Sequence, residues 1–277
     1  MKIGVISGKG GAGKTSFAIS LSELLLNKGF KVLLADLDVE EPNCNLFYNL
    51  TLNYDTVYTY VPGHIKENCT YCRECSEKCL FKALAVAKDF WMLFPELCHG
   101  CKACGYVCRF GAIKEDKREI GKIGEVKKDN FYFIEGRLNI GEVLTTALIK
   151  QVNKKINKLE KDFDFVIMDA PPGTSCPVIE TVDNCDKIVV VVEDTPFGFN
   201  DYKLIHDLMA ELDKSYYLVI NKYIDGKEIE EFAYEKGVEV IAKIPFSKDV
   251  AIEYSKGSSI LKIIKGNLEG TLKYISN

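Results

Sequence analysis

Gly8-Lys9-Gly10-Gly11-Ala12-Gly13-Lys14-Thr15 follows an apolar run, Ile3-Gly4-Val5-Ile6, and opens a helical pattern over residues 16–27 that begins at Ser16. A strand, a glycine loop and a helix in that order are the context of a phosphate-binding P-loop. Glycines let the backbone curl until successive N–H groups face one anion, and the helix N-terminus adds its partial positive charge. On this reading Gly8, Gly10, Gly11, Ala12, Gly13 and Ser16 belong to the cradle. Lys14 reaches the β- and γ-phosphates, and the Thr15 hydroxyl ligates Mg²⁺.

Beyond the loop helix, Lys31-Val32-Leu33-Leu34-Ala35 reads as a short buried strand that delivers Asp36-Leu37-Asp38 to its carboxyl end. Ligands of open parallel sheets sit off that end, and period-two alternation points Asp36 and Asp38 the same way. Asp164-Phe165-Val166-Ile167-Met168-Asp169 is a second buried strand ending in an acid, a Walker B arrangement in which Asp169 holds Mg²⁺ through water. The strand 188–192 and Tyr217-Leu218-Val219-Ile220 follow, the latter presenting Asn221-Lys222. A guanine reader of the form N-K-x-D needs an acid where Ile224 stands, and Asp225 comes one residue late, so ATP is the expected nucleotide. The alternation of strands and helices predicts a doubly wound, mostly parallel α/β sheet.

Between Val39 and the strand that opens near Phe163 the sheet pattern is lost for longer than a connection requires, so most of that stretch reads as an insertion. Cys69, Cys72, Cys75 and Cys79 have the spacing C-x2-C-x2-C-x3-C, and Cys98, Cys101, Cys104 and Cys108 repeat it. This is the bacterial ferredoxin run, in which the fourth cysteine of each set ligates the other cluster. One [4Fe–4S] cluster is therefore assigned to Cys69, Cys72, Cys75 and Cys108, and a second to Cys98, Cys101, Cys104 and Cys79. Zinc modules pair their cysteines and space the pairs well apart, which disfavours zinc. The proline that usually follows the fourth cysteine is replaced by Leu80 and Arg109. The charge of Arg109 beside Cys108 favours the reduced state, so the first cluster is expected to have the higher potential. Two short strands, 122–126 and 131–134, flank the turn Lys127-Lys128-Asp129-Asn130 and close the insert, and 140–159 reads as a helix. The expected organisation is an ATPase domain in two parts, 1–58 and 137–277, around a ferredoxin-like domain, 59–136.

Of the chain's 277 residues, 47% are hydrophobic and the formal net charge is −4, which fits a globular core and disfavours nucleic-acid binding. No apolar stretch approaches a membrane span, and the N-terminus enters the first strand directly, so a cytoplasmic location is expected. Eleven cysteines in such a chain point to metal rather than disulfides. Cys44, Cys176 and Cys185 fall outside the repeat and read as buried small hydrophobes. The run 259–275 suits a helix packed on the domain rather than on a membrane, because Gly266 and Gly270 weaken it in isolation.

Lys9, directly after the first glycine of the loop, makes the motif resemble the deviant Walker A ATPases. That superfamily contains the MinD and ParA positioning ATPases, the nitrogenase iron protein and the Mrp-type iron–sulfur carriers. The resemblance implies that Lys9 crosses a nucleotide-sandwiched dimer to the partner's phosphates. A homodimer, or a heterodimer with a paralogue, is therefore expected when ATP is bound. It also implies that Asp38 positions the attacking water, that Asp36 supports Mg²⁺, and that Ala170-Pro171-Pro172-Gly173-Thr174 is a switch sensing the γ-phosphate. Asn221 would contact adenine, with Pro245-Phe246 closing over the base. The nitrogenase iron protein carries a cluster cysteine at the offset of Cys176 from Asp169. The function this implies is an ATP-hydrolysing iron–sulfur protein that couples the nucleotide cycle to electron transfer toward a redox or metal-cluster protein. A metal-cluster carrier or a MinD-like positioning ATPase is the alternative.

Overall fold

The computed structural model describes residues 1–275. Its strands are β1 (Lys2–Ile6), β2 (Val32–Asp36), β3 (Asn53–His64), β4 (Leu84–Ala87), β5 (Phe90–Leu93), β6 (Ile113–Lys128), β7 (Phe131–Leu138), β8 (Phe165–Asp169), β9 (Lys187–Glu193), β10 (Tyr217–Tyr223) and β11 (Val240–Pro245). The chain forms two compact units. The first comprises Met1–Tyr54, Ile123–Arg137 and the chain from Ile149 onward, and the second Asp55–Lys122 and Leu138–Leu148.

The first unit is an α/β fold whose sheet contains the run β11-β10-β9-β1-β8-β2-β7. Every pairing within this run is parallel. Alternating side chains feed two cores, one on each face. Ile3, Val5, Val189 and Val191 join one cluster, while Ile6, Val190 and Val192 join the other. A fully buried branched side chain in these layers contributes about 1.5–3 kcal/mol. Helix α1 (Lys14–Asn27) buries Phe17, Ala18, Ile19, Leu21, Leu24 and Leu25, nearly its whole circumference. It can do so because the C-terminal run packs beside it, with Ile260, Leu261, Ile264 and Leu268 in the same core. That run is a helix, Leu261–Leu268, then a 3₁₀ turn, Glu269–Thr271, and a last helical turn, Leu272–Ile275. Among the described residues no helix is long and apolar enough to cross a membrane.

The structure differs from the sequence reading at β7. Residues 131–134 were expected to close the insert, yet β7 lies parallel to β2, with Val32 opposite Phe131 and Asp36 opposite Glu135. A two-residue turn at Asp129-Asn130 gives the look of a free-standing hairpin, but Phe131, Phe133 and Ile134 are buried in the main sheet. The helix expected over 140–159 begins only at Thr145, and Ile140 and Val143 are exposed.

In the second unit the two cysteine sets stand 29 residues apart, and the backbone repeats at that offset. Tyr71, Arg73 and Lys82 have positive φ, as do Gly100, Lys102 and Gly111. The Ile65 N–H donates to the Ala112 carbonyl and the Phe94 N–H to the Ala83 carbonyl, both at 2.8 Å. The two halves thus hold each other in a reciprocal exchange.

Candidate functional site

β1 ends against a loop that the sequence forces into a tight curl. Gly13 has φ 94°, and a Cβ there would stand 2.0 Å from Asn221 Nδ2, so only glycine fits. Asn221 Nδ2 itself donates to the Ala12 carbonyl at 2.8 Å, so its amide braces the loop. A cavity of about 400 Å³ opens there. Lys9, Gly10, Gly11, Gly13, Lys14, Thr15, Ser16, Asp38, Asn221, Pro245 and Phe246, all expected site residues, line it. Gly8 and Ala12 line a smaller recess with Glu193 and Tyr202. The cavity's far wall is apolar, with Val250, Ala251, Ile260 and Ile264 beside Tyr254. Such a wall suits a planar base next to a phosphate cradle.

Below the loop lies a buried ionic cluster. Lys14 Nζ is 2.8 Å from Asp169 Oδ1, and the Thr15 hydroxyl donates to Asp169 Oδ2 at 2.6 Å. Asp36, carried by β2 beside β8, accepts the backbone N–H groups of Asn43 and Cys44 at 2.9 Å and that of Asp38 at 3.1 Å. Cys44 Sγ lies 3.6 Å from Asp169 Oδ2, and ligand atoms of Asp36, Cys44 and Asp169 all fall within 4.8 Å of one another. Carboxylates at this position, with Thr15, supply the hard oxygen ligands or water acceptors that Mg²⁺ takes. Nothing in the local sequence marked Cys44 as part of this cluster. Its place comes from the turn after Val39, which folds back over Asp36.

Burial raises the Asp36 carboxyl, and the neighbouring Asp169 charge raises it further, against the backbone N–H of Cys44 and Lys14. Burial also raises Asp38, to about 6, with Lys14 opposing and Asp169 and Glu40 assisting. Lys14 is lowered by burial but carried above its ordinary value by Asp169, Asp38 and Asp36. An acid that holds its proton more tightly folded than unfolded contributes most at low pH, and that contribution is lost as pH rises through the folded pKa. Relative to Asp38→Asn, the urea midpoint of the unaltered metal-free protein should therefore fall between about pH 4 and about pH 6. Midpoints that run parallel in the two proteins over this window would contradict the assignment.

Lys9 Nζ does not point into open solvent. It pairs with Glu193 Oε2 at 2.9 Å, and Lys222 Nζ pairs with Glu193 Oε1 at 2.8 Å while donating to the Gly11 carbonyl at 3.1 Å. Glu193 and Lys222 are parts of the site that sequence reasoning missed, since their partners lie far away along the chain. In the switch segment the Gly173 N–H donates to the Ser7 carbonyl at 2.9 Å, tying it to the end of β1.

In the second unit one cavity is lined by Cys69, Cys72, Cys75 and Cys108 and another by Cys79, Cys98, Cys101 and Cys104. These are the two sets expected from the spacing. The Ala83 N–H donates to Cys79 Sγ at 3.3 Å and the Ala112 N–H to Cys108 Sγ at 3.2 Å. Tyr71, Arg73 and Lys82 adopt a left-handed backbone despite their side chains, a strained conformation that recurs in both halves of the repeat. Four thiols around a small cavity with inward N–H donors fit an anionic [4Fe–4S] cluster. Arg109 lies 3.7 Å from Glu74, so its charge is shared with a carboxylate. Cys176 is exposed at the start of the helix Cys176–Val182, contrary to the expectation of a buried residue, because the buried face of that helix is carried by Val178, Thr181 and Val182. Cys44 and Cys185 are packed within the fold.

The CbiA family, described as the CobQ/CobB/MinD/ParA nucleotide binding domain, matches residues 3–260. An uncharacterized protein of Methanocaldococcus jannaschii is 34% identical, over 100% of this chain and 97% of its own length. An iron-sulfur cluster carrier protein of Aquifex aeolicus is 25% identical, over 94% of this chain and 61% of the carrier. Among solved structures, the septum site-determining protein MinD of Pyrococcus horikoshii, complexed with Mg-ADP, aligns with a TM-score of 0.58 at 18% identity. That alignment covers 99% of this chain and 93% of the MinD chain.

Proposed function

The chain belongs to the CobQ/CobB/MinD/ParA family of nucleotide-binding P-loop proteins, and from that premise we propose that it is an ATP-hydrolysing iron–sulfur protein whose nucleotide cycle governs electron transfer. The observation that carries the proposal is the presence, in one chain, of a complete P-loop cavity and two cavities of four cysteines each. Clusters held by four thiolates supply one-electron storage at potentials set by charge and hydrogen bonding. The remaining roles fall to the chain itself.

The loop from Gly8 to Ser16 cradles the phosphates, with Lys14 leaving Asp169 for the β- and γ-oxygens. Thr15, Asp36 and Asp169 hold Mg²⁺ directly or through water, and Asp38 aligns the attacking water. Asn221, Pro245 and Phe246 enclose the base. Lys9, once released from Glu193, reaches the phosphates of a second copy in an ATP-bound dimer. The Mg-ADP bound to the MinD relative supports the nucleotide assignment.

An anaerobic redox titration monitored by EPR, with and without Mg-ATP, tests the coupling. A shift in potential or line shape on adding ATP is expected, and two stable clusters indifferent to ATP would overturn it. The similarity to an iron-sulfur cluster carrier favours one rival, a carrier that hands clusters on. Transfer of cluster iron to an apo-ferredoxin would select that rival, since fully ligated clusters stay in place.

The cluster assignment has a direct optical test. Trp91 is the only tryptophan in the chain, and it lines the cavity of Cys69, Cys72, Cys75 and Cys108. Its fluorescence should be quenched on anaerobic reconstitution with iron and sulfide and recover on chelation. Unchanged emission at full iron loading would remove the first cluster from this cavity.

A further inference from the structure

We propose that Trp91 and Tyr60 set the reduction potentials of the two clusters separately, each by donating one hydrogen bond to a single ligating sulfur, Cys75 for Trp91 and Cys104 for Tyr60. The inference rests on the cluster reading above and concerns what makes the two sites unequal.

Most features of the two cavities are matched. The N–H bonds to Cys79 and Cys108 differ by 0.1 Å, from 3.3 to 3.2 Å, and the positive-φ residues recur at the same offset. The side-chain donors break the match. Trp91 stands on β5 opposite Val86 and is held by a parallel stack on His64, with ring centroids 4.6 Å apart. Its Nε1 is buried and makes no hydrogen bond in the structure. An orphaned buried donor is costly, and a thiolate in front of it removes that cost. Cys75 lines the same cavity and is the thiol that the Trp91 side chain is placed to bond.

Tyr60, on β3, places its hydroxyl 3.9 Å from Cys104 Sγ, with the Lys102 ammonium 5.2 Å from the centre of its ring. A ligating thiolate has no proton to give, so the phenol is the donor in the loaded protein. Cys75 and Cys104 are equivalent members of the repeat, being 29 residues apart, but one receives an indole N–H and the other a phenol O–H. A neutral donor on a ligating sulfur stabilises the more negative, reduced cluster and raises its potential. Arg109, its charge shared with Glu74 at an exposed position, is a weaker lever on the same quantity.

The test is a potentiometric EPR titration of the anaerobically reconstituted full chain, its Trp91→Phe and Tyr60→Phe variants, and the double variant. Each single variant should lower one of the two redox waves, a different one in each case, and the double variant should lower both. The expected size is up to a tenfold change in the reduction equilibrium, about 59 mV for a one-electron couple. Trp91→His and Tyr60→His, which supply an imidazole N–H donor in place of the indole N–H and the phenol O–H, should restore part of the shift at unchanged iron and sulfide content. Two unmoved waves at full iron content, or both variants moving the same wave, would overturn this proposal alone. Native protein that takes up no iron and sulfide would overturn the cluster reading, and this proposal with it. Phe variants that lose iron while the His variants keep both iron and native potentials would leave the donors required for loading, and would overturn their role as tuning groups.

Discussion

Asp38→Ala is expected to lower ATP turnover by about 10²–10⁴-fold while the variant still binds ATP. Asp38 lines the cavity beside Lys14 and Thr15, half-buried, and the backbone N–H that its carboxyl takes is that of Glu41. Asp36, by contrast, is fully buried and occupied by three backbone N–H groups. Asp38, with fewer backbone N–H groups on it and one side open to the cavity, is therefore the acid placed to hold a water molecule in line with a γ-phosphate, and a pKa raised to about 6 leaves it ionised at neutral pH. Steady-state phosphate release, read beside nucleotide binding by calorimetry, separates the two effects. Turnover within about twofold of the unaltered protein would strip Asp38 of this role. Loss of binding together with turnover would make Asp38 a ligand-holding group instead.

Lys14→Ala is expected to abolish measurable ATP binding and also to destabilise the nucleotide-free protein. Lys14 is 6% exposed and Asp169 wholly buried, and the two are in contact. Deleting one partner of a buried pair leaves an uncompensated charge and costs about 3–5 kcal/mol. Here the loss is compounded because Asp36 and Asp38 also lean on the same ammonium. Two readouts settle it: nucleotide affinity, and the thermal midpoint in the absence of nucleotide and metal. A variant that loses binding at an unchanged midpoint would mean that the buried carboxylates take up protons and neutralise the vacancy. The cysteine cavities belong to the other compact unit, so cluster absorbance should survive the substitution. Its disappearance would show that the two units do not fold separately.

The P-loop, the two acids after β2 and the acid after β8 were legible because each is a local arrangement, fixed by a strand and the few residues that follow it. The cysteine sets were legible for the same reason, and the exchange of the fourth cysteine expected from the spacing matches the linings of the two cavities. What sequence hid was long-range. Nothing near Asn221 announces that its amide braces the Ala12 carbonyl 209 residues away. Nothing near Glu193 reveals that it holds both Lys9 and Lys222. Cys44 looked like filler because its neighbours carry no motif, yet the turn after Val39 brings it against Asp169. β7 was misplaced because an apolar strand after a polar two-residue turn reads alike whether it pairs only with its hairpin mate or also joins a larger sheet.

The reciprocal sharing of cysteines has a bearing on how the protein comes off the ribosome. Each cavity takes three thiols from one stretch and its fourth from the other, so the set that begins at Cys69 lacks a member until Cys108 has been synthesised. The set that includes Cys79 is completed only with Cys104, four residues earlier. Both sites therefore become loadable at nearly the same moment of synthesis, and a nascent chain stalled before that point carries open sites with at most three thiols each. On the cluster reading proposed above, metal loading would be timed to the completed segment, and partly made chains would offer delivery factors no finished site.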